Sequence, residues 1–210
     1  GGAERVIAQL ADALVARGHR IAVRTRTTMG FRSLHRMPVL ARALWHLADI
    51  GNIAAAWSLA RTLARERPDV VHTHNLVGCG GWTPFVIRRS GIRWVHTLHD
   101  VQLITPSGLL DQSGKPYTAI ERSLLARWLR RLRRARFGSP HVVTSPTQWL
   151  LDLHRTEGWF PESRAVVIGN PVSVAADGVE VHARSQRVAP VRAVRTLLFI
   201  GQVEGHKGIV

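Results

Sequence analysis

Apolar residues recur along this chain with two different periods. Over residues 3–17, Val6, Ile7, Leu10 and Leu14 fall at helical spacing, and Gly18 stands where a helix-ending glycine belongs. Residues 20–25 read as a short strand. The Ala- and Leu-rich stretch 31–66 predicts two helices broken near Gly51-Asn52. After Pro68-Asp69 the run Val70-Val71-His72-Thr73 predicts a buried strand, and Gly78–Gly81 a loop before a helix at about 83–90. Strands follow at 93–98, 142–145 and 165–168, with a long helix at 118–137 and another at 147–157. The strands are continuously apolar rather than alternating, which means cover on both faces. Strand and helix in alternation predict an α/β fold with a doubly wound parallel sheet.

In such a sheet, ligands gather at the C-terminal ends of the strands. Those exits carry Thr73-His74-Asn75, His99-Asp100, Ser145 and Gly169-Asn170. Each residue is also an ordinary capping type, so it is their recurrence at every exit that marks a site. Residues 174–195 lack a period and read as a linker. Thr196–Gly201 then reads as the first strand of a second domain.

Composition alters this picture only in its charge. The 210 residues hold 29 Lys plus Arg against 14 Asp plus Glu, a net charge of +15. No run approaches the roughly 18 consecutive apolar residues that cross a bilayer. The single cysteine, Cys79, excludes an internal disulfide framework and a multi-cysteine zinc site. The charge is patterned in one place. Residues 120–137 hold seven arginines and one glutamate. On a helical wheel starting at Ile120, Leu124, Trp128, Leu132, Leu125 and Leu129 fall between about 40° and 180°, and five of the arginines between about 200° and 340°. A basic amphipathic helix of this kind either packs its apolar face on the sheet or lies on an anionic membrane surface. No helix-turn-helix, zinc-finger or aromatic-basic platform accompanies the charge, so nucleic acid is not an expected partner.

Candidate chemistry is sparse. His72 and His74, two apart on a strand, share a face, but neither they nor His99-Asp100 bring the third ligand a zinc site needs. Ser145, His99 and Asp100 supply the residue types of a hydrolase triad without a G-x-S-x-G elbow around any serine. Gly78-Cys79-Gly80-Gly81 departs from G-x-G-x-x-G because position 83 is Thr, and reads as a loop and cap. Gly1-Gly2 opens a helix whose free N–H groups favour an anion, and Lys207 beside a second helix start suits a diphosphate.

Taken in order, Gly1-Gly2-Ala3-Glu4-Arg5, Arg17-Gly18-His19, Pro68 to Asn75, Thr97-Leu98-His99-Asp100, Ser145, Asn170-Pro171-Val172 and Phe199-Ile200-Gly201 to Lys207-Gly208 resemble the retaining nucleotide-sugar glycosyltransferases of GT-B architecture (family 4-like, group 1). The resemblance implies an acceptor-side Rossmann-like domain over 1–172, a linker at 173–195, and the start of a donor-binding domain at 196–210. It also implies that a central strand lies upstream of Gly1, and that the chain alone is poorly stable and catalytically inert.

The activity implied is metal-independent transfer of a sugar, with retention, from a nucleoside diphosphate sugar to a cell-envelope, lipid-linked or saccharide acceptor. No cofactor beyond the donor substrate is implied. His99 is the implied catalytic residue. Gly1, Gly2, His74, Asn75, Asp100, Ser145 and Asn170 are the implied substrate contacts, and Lys207 and Gln202 face the donor diphosphate. Position 202 is Gln where the family usually has Arg, and the family's Glu-x7-Glu segment would lie beyond Val210. The expected setting is the cytoplasm, peripheral at the inner face of the membrane through helix 118–137. A non-catalytic nucleotide-sugar or glycan-binding relative is the alternative.

Overall fold

Pro68 and Asp69 end a helix and release the chain into the first of four short strands. In the computed structural model, residues 2–24, 37–111, 116 and 119–171 are described. Two compact units divide the chain, 1–171 and 172–210. The first holds, in order, α1 (Gly2–Val15), α2 (Val39–Ile50), α3 (Ile53–Glu66), β1 (Val70–His74), α4 (Thr83–Arg89), β2 (Arg93–Thr97), α5 (Ala119–Arg122), α6 (Leu124–Phe137), β3 (Val142–Ser145), α7 (Gln148–Thr156) and β4 (Arg164–Val167). The strands form one sheet in the order β1-β2-β3-β4, every pair parallel. Parallel neighbours need crossover connections, and the helices between them supply these. The architecture is the α/β, Rossmann-like arrangement that the apolar strands predict.

Register fixes two faces. On one, Trp94, His96 and Val143 are buried against Ile87, Phe137, Leu151 and Phe160. Trp94 stacks on Phe137 with ring centroids 5.2 Å apart. Buried polar groups favour pairing, and among the described residues His154 Nε2 is the buried side-chain atom that lacks a hydrogen-bond partner. Trp94 Nε1 donates to Thr73 Oγ1 at 2.7 Å, and Thr73 Oγ1 meets His96 Nδ1 at 2.8 Å. The other face carries His72, His74, Thr97 and Thr144. There Thr97 Oγ1 lies 2.7 Å from both His72 Nε2 and Thr144 Oγ1.

Side-chain caps mark the starts of α3, α6 and α7, since the first N–H groups of a helix lack internal partners. Asn52, Ser123 and Thr147 accept from Ala55, Ala126 and Leu150 N–H respectively. The loop after β1 is wrapped on a buried carboxylate: Asp49 accepts from Gly78 N–H at 3.1 Å and from Gly80 N–H at 2.9 Å. Gly80 and Gly81 are glycines for want of room. A Cβ on Gly80 would lie 2.9 Å from the Ala55 Cβ, and one on Gly81 2.9 Å from the Ile50 backbone.

Two elements depart from expectation. Described residues 19–24 are not a strand. Arg20 donates to the Glu66 carbonyl, and Arg24 to the Ser58 carbonyl and hydroxyl and to Thr62 Oγ1. Side chains bind this segment to α3, and its backbone pairs with no strand among the described residues. The helix at 118–137 is two helices, because Ser123 turns extended (φ −62°, ψ 158°) and its side chain caps α6.

The restart also changes which face is buried. Leu124, Leu125 and Trp128 are 79%, 65% and 57% exposed, so this stripe does not pack on the sheet. Arginines turn inward instead. Arg130 donates to the Glu121 carbonyl at 2.7 Å and Arg134 to the Glu157 carbonyl at 2.5 Å. Burial lowers the Arg133 guanidinium from its ordinary range, and the nearby Asp49 charge opposes that shift. Phe137 anchors the end of the helix in the core. The expected strand at 196–201 lies outside the described residues.

Candidate functional site

Parallel pairing places the exits of β1 and β2 side by side. His74 is in register with Thr97, so the residues just beyond each strand share one end of the sheet. His74 Nδ1 and His99 Nε2 are 2.9 Å apart. The His72 ring lies 4.3 Å from that of His74, on the face their spacing predicts. Asn75 leaves β1 at φ 26°, a left-handed turn that asparagine tolerates better than most residues. Its amide nitrogen donates to Asp100 Oδ2 at 3.2 Å and to Gln102 Oε1 at 3.1 Å. Asp100 Oδ1 in turn accepts the Gln102 N–H at 2.8 Å. The expected catalytic residue His99 and the expected substrate contacts His74, Asn75 and Asp100 are therefore brought together at one end of the sheet.

Asn75, His99 and Asp100 line a shallow depression with Leu76, Thr97, Gln102 and Leu103, and His74 stands behind His99 through their ring contact. The imidazoles of the site are held toward their neutral form. Burial lowers His74 to about 3, and the neighbouring imidazoles of His72 and His99 push the same way. His99 is also lowered by burial, opposed by the Asp100 carboxylate. Burial raises Asp100, while the Gln102 N–H and His99 hold it down. Half-buried neutral imidazoles can each offer one N–H and one bare nitrogen, which suits recognition of hydroxyl and phosphate oxygens.

The remaining expected residues stand apart from this cluster. Ser145 is fully buried at the end of β3 and its hydroxyl donates to the Thr147 carbonyl at 2.8 Å. Asn170 is exposed beyond β4. Gly2 opens α1 with no atom within 4 Å of where a Cβ would sit. Gly1, Gln202 and Lys207 lie outside the described residues. Among the described residues, no group of three or more His, Cys, Asp or Glu side chains is placed to hold a metal ion, and no helix is long and apolar enough to cross a membrane.

Two participants escaped the sequence reading. Gln102 bridges Asn75 and Asp100, and the available signal was an aspartate two residues before an amide, the spacing of an Asx turn. Glu121 is buried and accepts from Thr105 Oγ1, Ser107 N–H and Ser107 Oγ at 2.5, 2.8 and 3.1 Å. It secures the loop that continues from Asp100. Nothing local in the sequence announces that long-range tie. A wider groove, about 600 Å3, runs along α3 between Trp57 and Arg65. One helix supplies all its lining residues, and no strand end opens into it.

The family model described as Glycosyltransferase Family 4 matches residues 1–176. The chain is also similar to a Klebsiella pneumoniae protein described as an uncharacterized 42.6 kDa protein in the cps region. The two are 26% identical over 235 residues, covering 99% of this chain and 59% of that protein. The chain thus spans about three-fifths of the length of this curated relative.

Proposed function

This chain belongs to glycosyltransferase family 4, and from that premise we propose that its β1 and β2 exits form part of the site for a nucleoside diphosphate sugar. The sugar is transferred with retention, without a catalytic metal, to a cell-envelope, lipid-linked or saccharide acceptor. The observation that carries this reading is the convergence of His74-Asn75 and His99-Asp100, from separate strands, into one cluster at the ligand-binding end of a parallel sheet. The cps-region setting of the relative favours an envelope polysaccharide as the product.

In this reading His99 is the catalytic residue. Its imidazole donates a hydrogen bond to the donor at the sugar–phosphate junction, where negative charge grows as the glycosidic bond breaks. A donor aimed at developing charge stabilises the transition state more than the ground state. Asn75 and Asp100 hold the two exits at fixed separation. Gly1 and Gly2 let the diphosphate approach the N-terminal end of α1, where unpaired N–H groups favour an anion. Lys207 neutralises the leaving diphosphate within a donor-side domain starting near residue 196, after a linker at 173–195. The acceptor-side domain spans 1–172, with the expected substrate contacts Ser145 at the end of β3 and Asn170 beyond β4. Gln202 offers hydrogen bonds where a cation would offer charge, and this departure favours the second reading, a non-catalytic nucleotide-sugar or glycan-binding relative.

The exposed stripe of α6 supports a membrane-surface acceptor. Leu124, Trp128 and Leu125 face outward, with Arg127 and Arg131 exposed beside them. Apolar side chains enter the acyl boundary while arginines meet anionic headgroups. The protein is then cytoplasmic and peripheral.

The test is transfer by the protein expressed from its complete reading frame, with a panel of nucleoside diphosphate sugars. Release of nucleoside diphosphate and an α-anomeric product from an α-linked donor are expected, with His99→Ala reducing turnover by about 100-fold. Donor binding without turnover would establish the second reading. Neither binding nor turnover with any donor would overturn the enzyme reading and the nucleotide-sugar-binding alternative.

A further inference from the structure

We infer that His74 is a positioning residue that fixes which ring nitrogen of His99 carries its proton. The inference rests on the placement of His99 in the donor site. Its geometric basis is the 2.9 Å contact between His74 Nδ1 and His99 Nε2.

A neutral imidazole has one N–H and one bare nitrogen. A hydrogen bond between two such rings uses one proton, so the two tautomers are reciprocal. If His74 Nδ1 donates, His99 must accept at Nε2 and carry its own proton on Nδ1. If His99 Nε2 donates, its Nδ1 is bare. In either case Nδ1 is the His99 nitrogen left for a ligand.

The ligand chemistry selects between these states. Phosphate oxygens are acceptors only, so the nitrogen that meets them must be an N–H. His99 therefore carries its proton on Nδ1, and His74 holds it there by donating from its own Nδ1. A free imidazole side chain lacking this partner is under no such constraint.

The surroundings keep His74 in place and uncharged. His72 lies against its ring at 4.3 Å, and His72 is itself held through Nε2 by Thr97 Oγ1, which meets Thr144 Oγ1. Polar side chains of three successive strands thus fix the donor that fixes His99. The titratable groups that act on the pair are His72 from β1, His96 from β2 and Asp100 beyond β2. The shifts of His72, His74, His96, His99 and His154 are all downward. Neutral rings, each with one N–H, are the state the tautomer lock requires.

The test is imidazole nitrogen NMR on the ligand-free protein from its complete reading frame, combined with turnover. In the wild type, His99 Nδ1 is expected to resonate as an N–H and Nε2 as a bare nitrogen. In His74→Phe the His99 tautomer should change, and turnover should fall on the order of 10- to 100-fold, the loss expected for one misdirected donor. His74→Asn, whose amide can donate from nearly the same point, should restore both the tautomer and most of the turnover.

A protonated Nε2 on wild-type His99 overturns the inference without any variant. So does a His99 tautomer that His74→Phe leaves unchanged. The wild-type measurement stands even where His74→Phe fails to fold. If His99→Ala leaves turnover intact while the tautomers are as described, the donor-site reading fails and the imidazole lock survives.

Discussion

Asn75 illustrates how one side chain can join two strand exits. Its amide donates to Asp100 and Gln102, and its backbone adopts φ 26°. These two roles separate experimentally. Asn75→Gly keeps the turn and removes the bonds, and should cost about 1 kcal/mol of unfolding free energy. Asn75→Ala removes the bonds and also strains the turn, adding about 1 kcal/mol more. Urea denaturation of the two variants measures both. Equal stabilities would show that the turn carries no backbone constraint. The candidate site residues stand out in the sequence because His-Asn and His-Asp each follow a short apolar run. Their joining was not legible, since Gln102 reaches Asn75 only after the chain turns back.

At the scale of elements, the sequence predicted the four described strands to within a residue or so, because β1, β3 and β4 each carry paired valines and β2 follows the helix-ending Gly91. It misread 20–25, of which 20–24 are described, because a strand is defined by its partner, and here the arginines bind α3 instead. It also misread 118–137, because a wheel assumes one unbroken helix. Ser123 resets the phase, so Leu124 and Trp128 point outward while Arg130 and Arg134 find carbonyls. Trp128→Glu should therefore leave thermal stability nearly unchanged, as expected for an exposed position. It should also abolish co-sedimentation with phosphatidylglycerol vesicles; retained binding would remove α6 from the membrane reading. In the β1 loop, Gly81→Ala places a methyl 2.9 Å from the Ile50 backbone. It should destabilise by about 1–3 kcal/mol, whereas Gly2→Ala, with open space around it, should not. Similar melting temperatures for the two variants would contradict the tight packing of the loop on α2.

For the whole molecule, buried histidines set the response to acid. His74 and His96 are each lowered to about 3, well below the unfolded value near 6.5. Between those values the unfolded chain binds protons that the folded chain does not. Stability therefore falls as the pH drops from about 6.5 toward 3, by up to about 1.4 kcal/mol per pH unit for each fully effective group. His72, His99 and His154 shift in the same direction. Asp100, raised by burial, acts oppositely and only in the carboxylate range. Denaturation between pH 7 and pH 4 should show this loss, and a flat profile would mean the histidines are solvated in solution. The histidine content was visible in the sequence; that the sheet would bury several of them together was not, because that depends on strand register.

In the proposed function, the His74-His99 end of the sheet takes the donor. Calorimetric titration of the best-used nucleoside diphosphate sugar into the protein from its complete reading frame tests it most directly. His99→Ala is expected to weaken binding by about 10- to 100-fold, while Trp128→Glu, on the exposed stripe of α6, binds as the wild type does. Equal affinity of His99→Ala and wild type would contradict the claim.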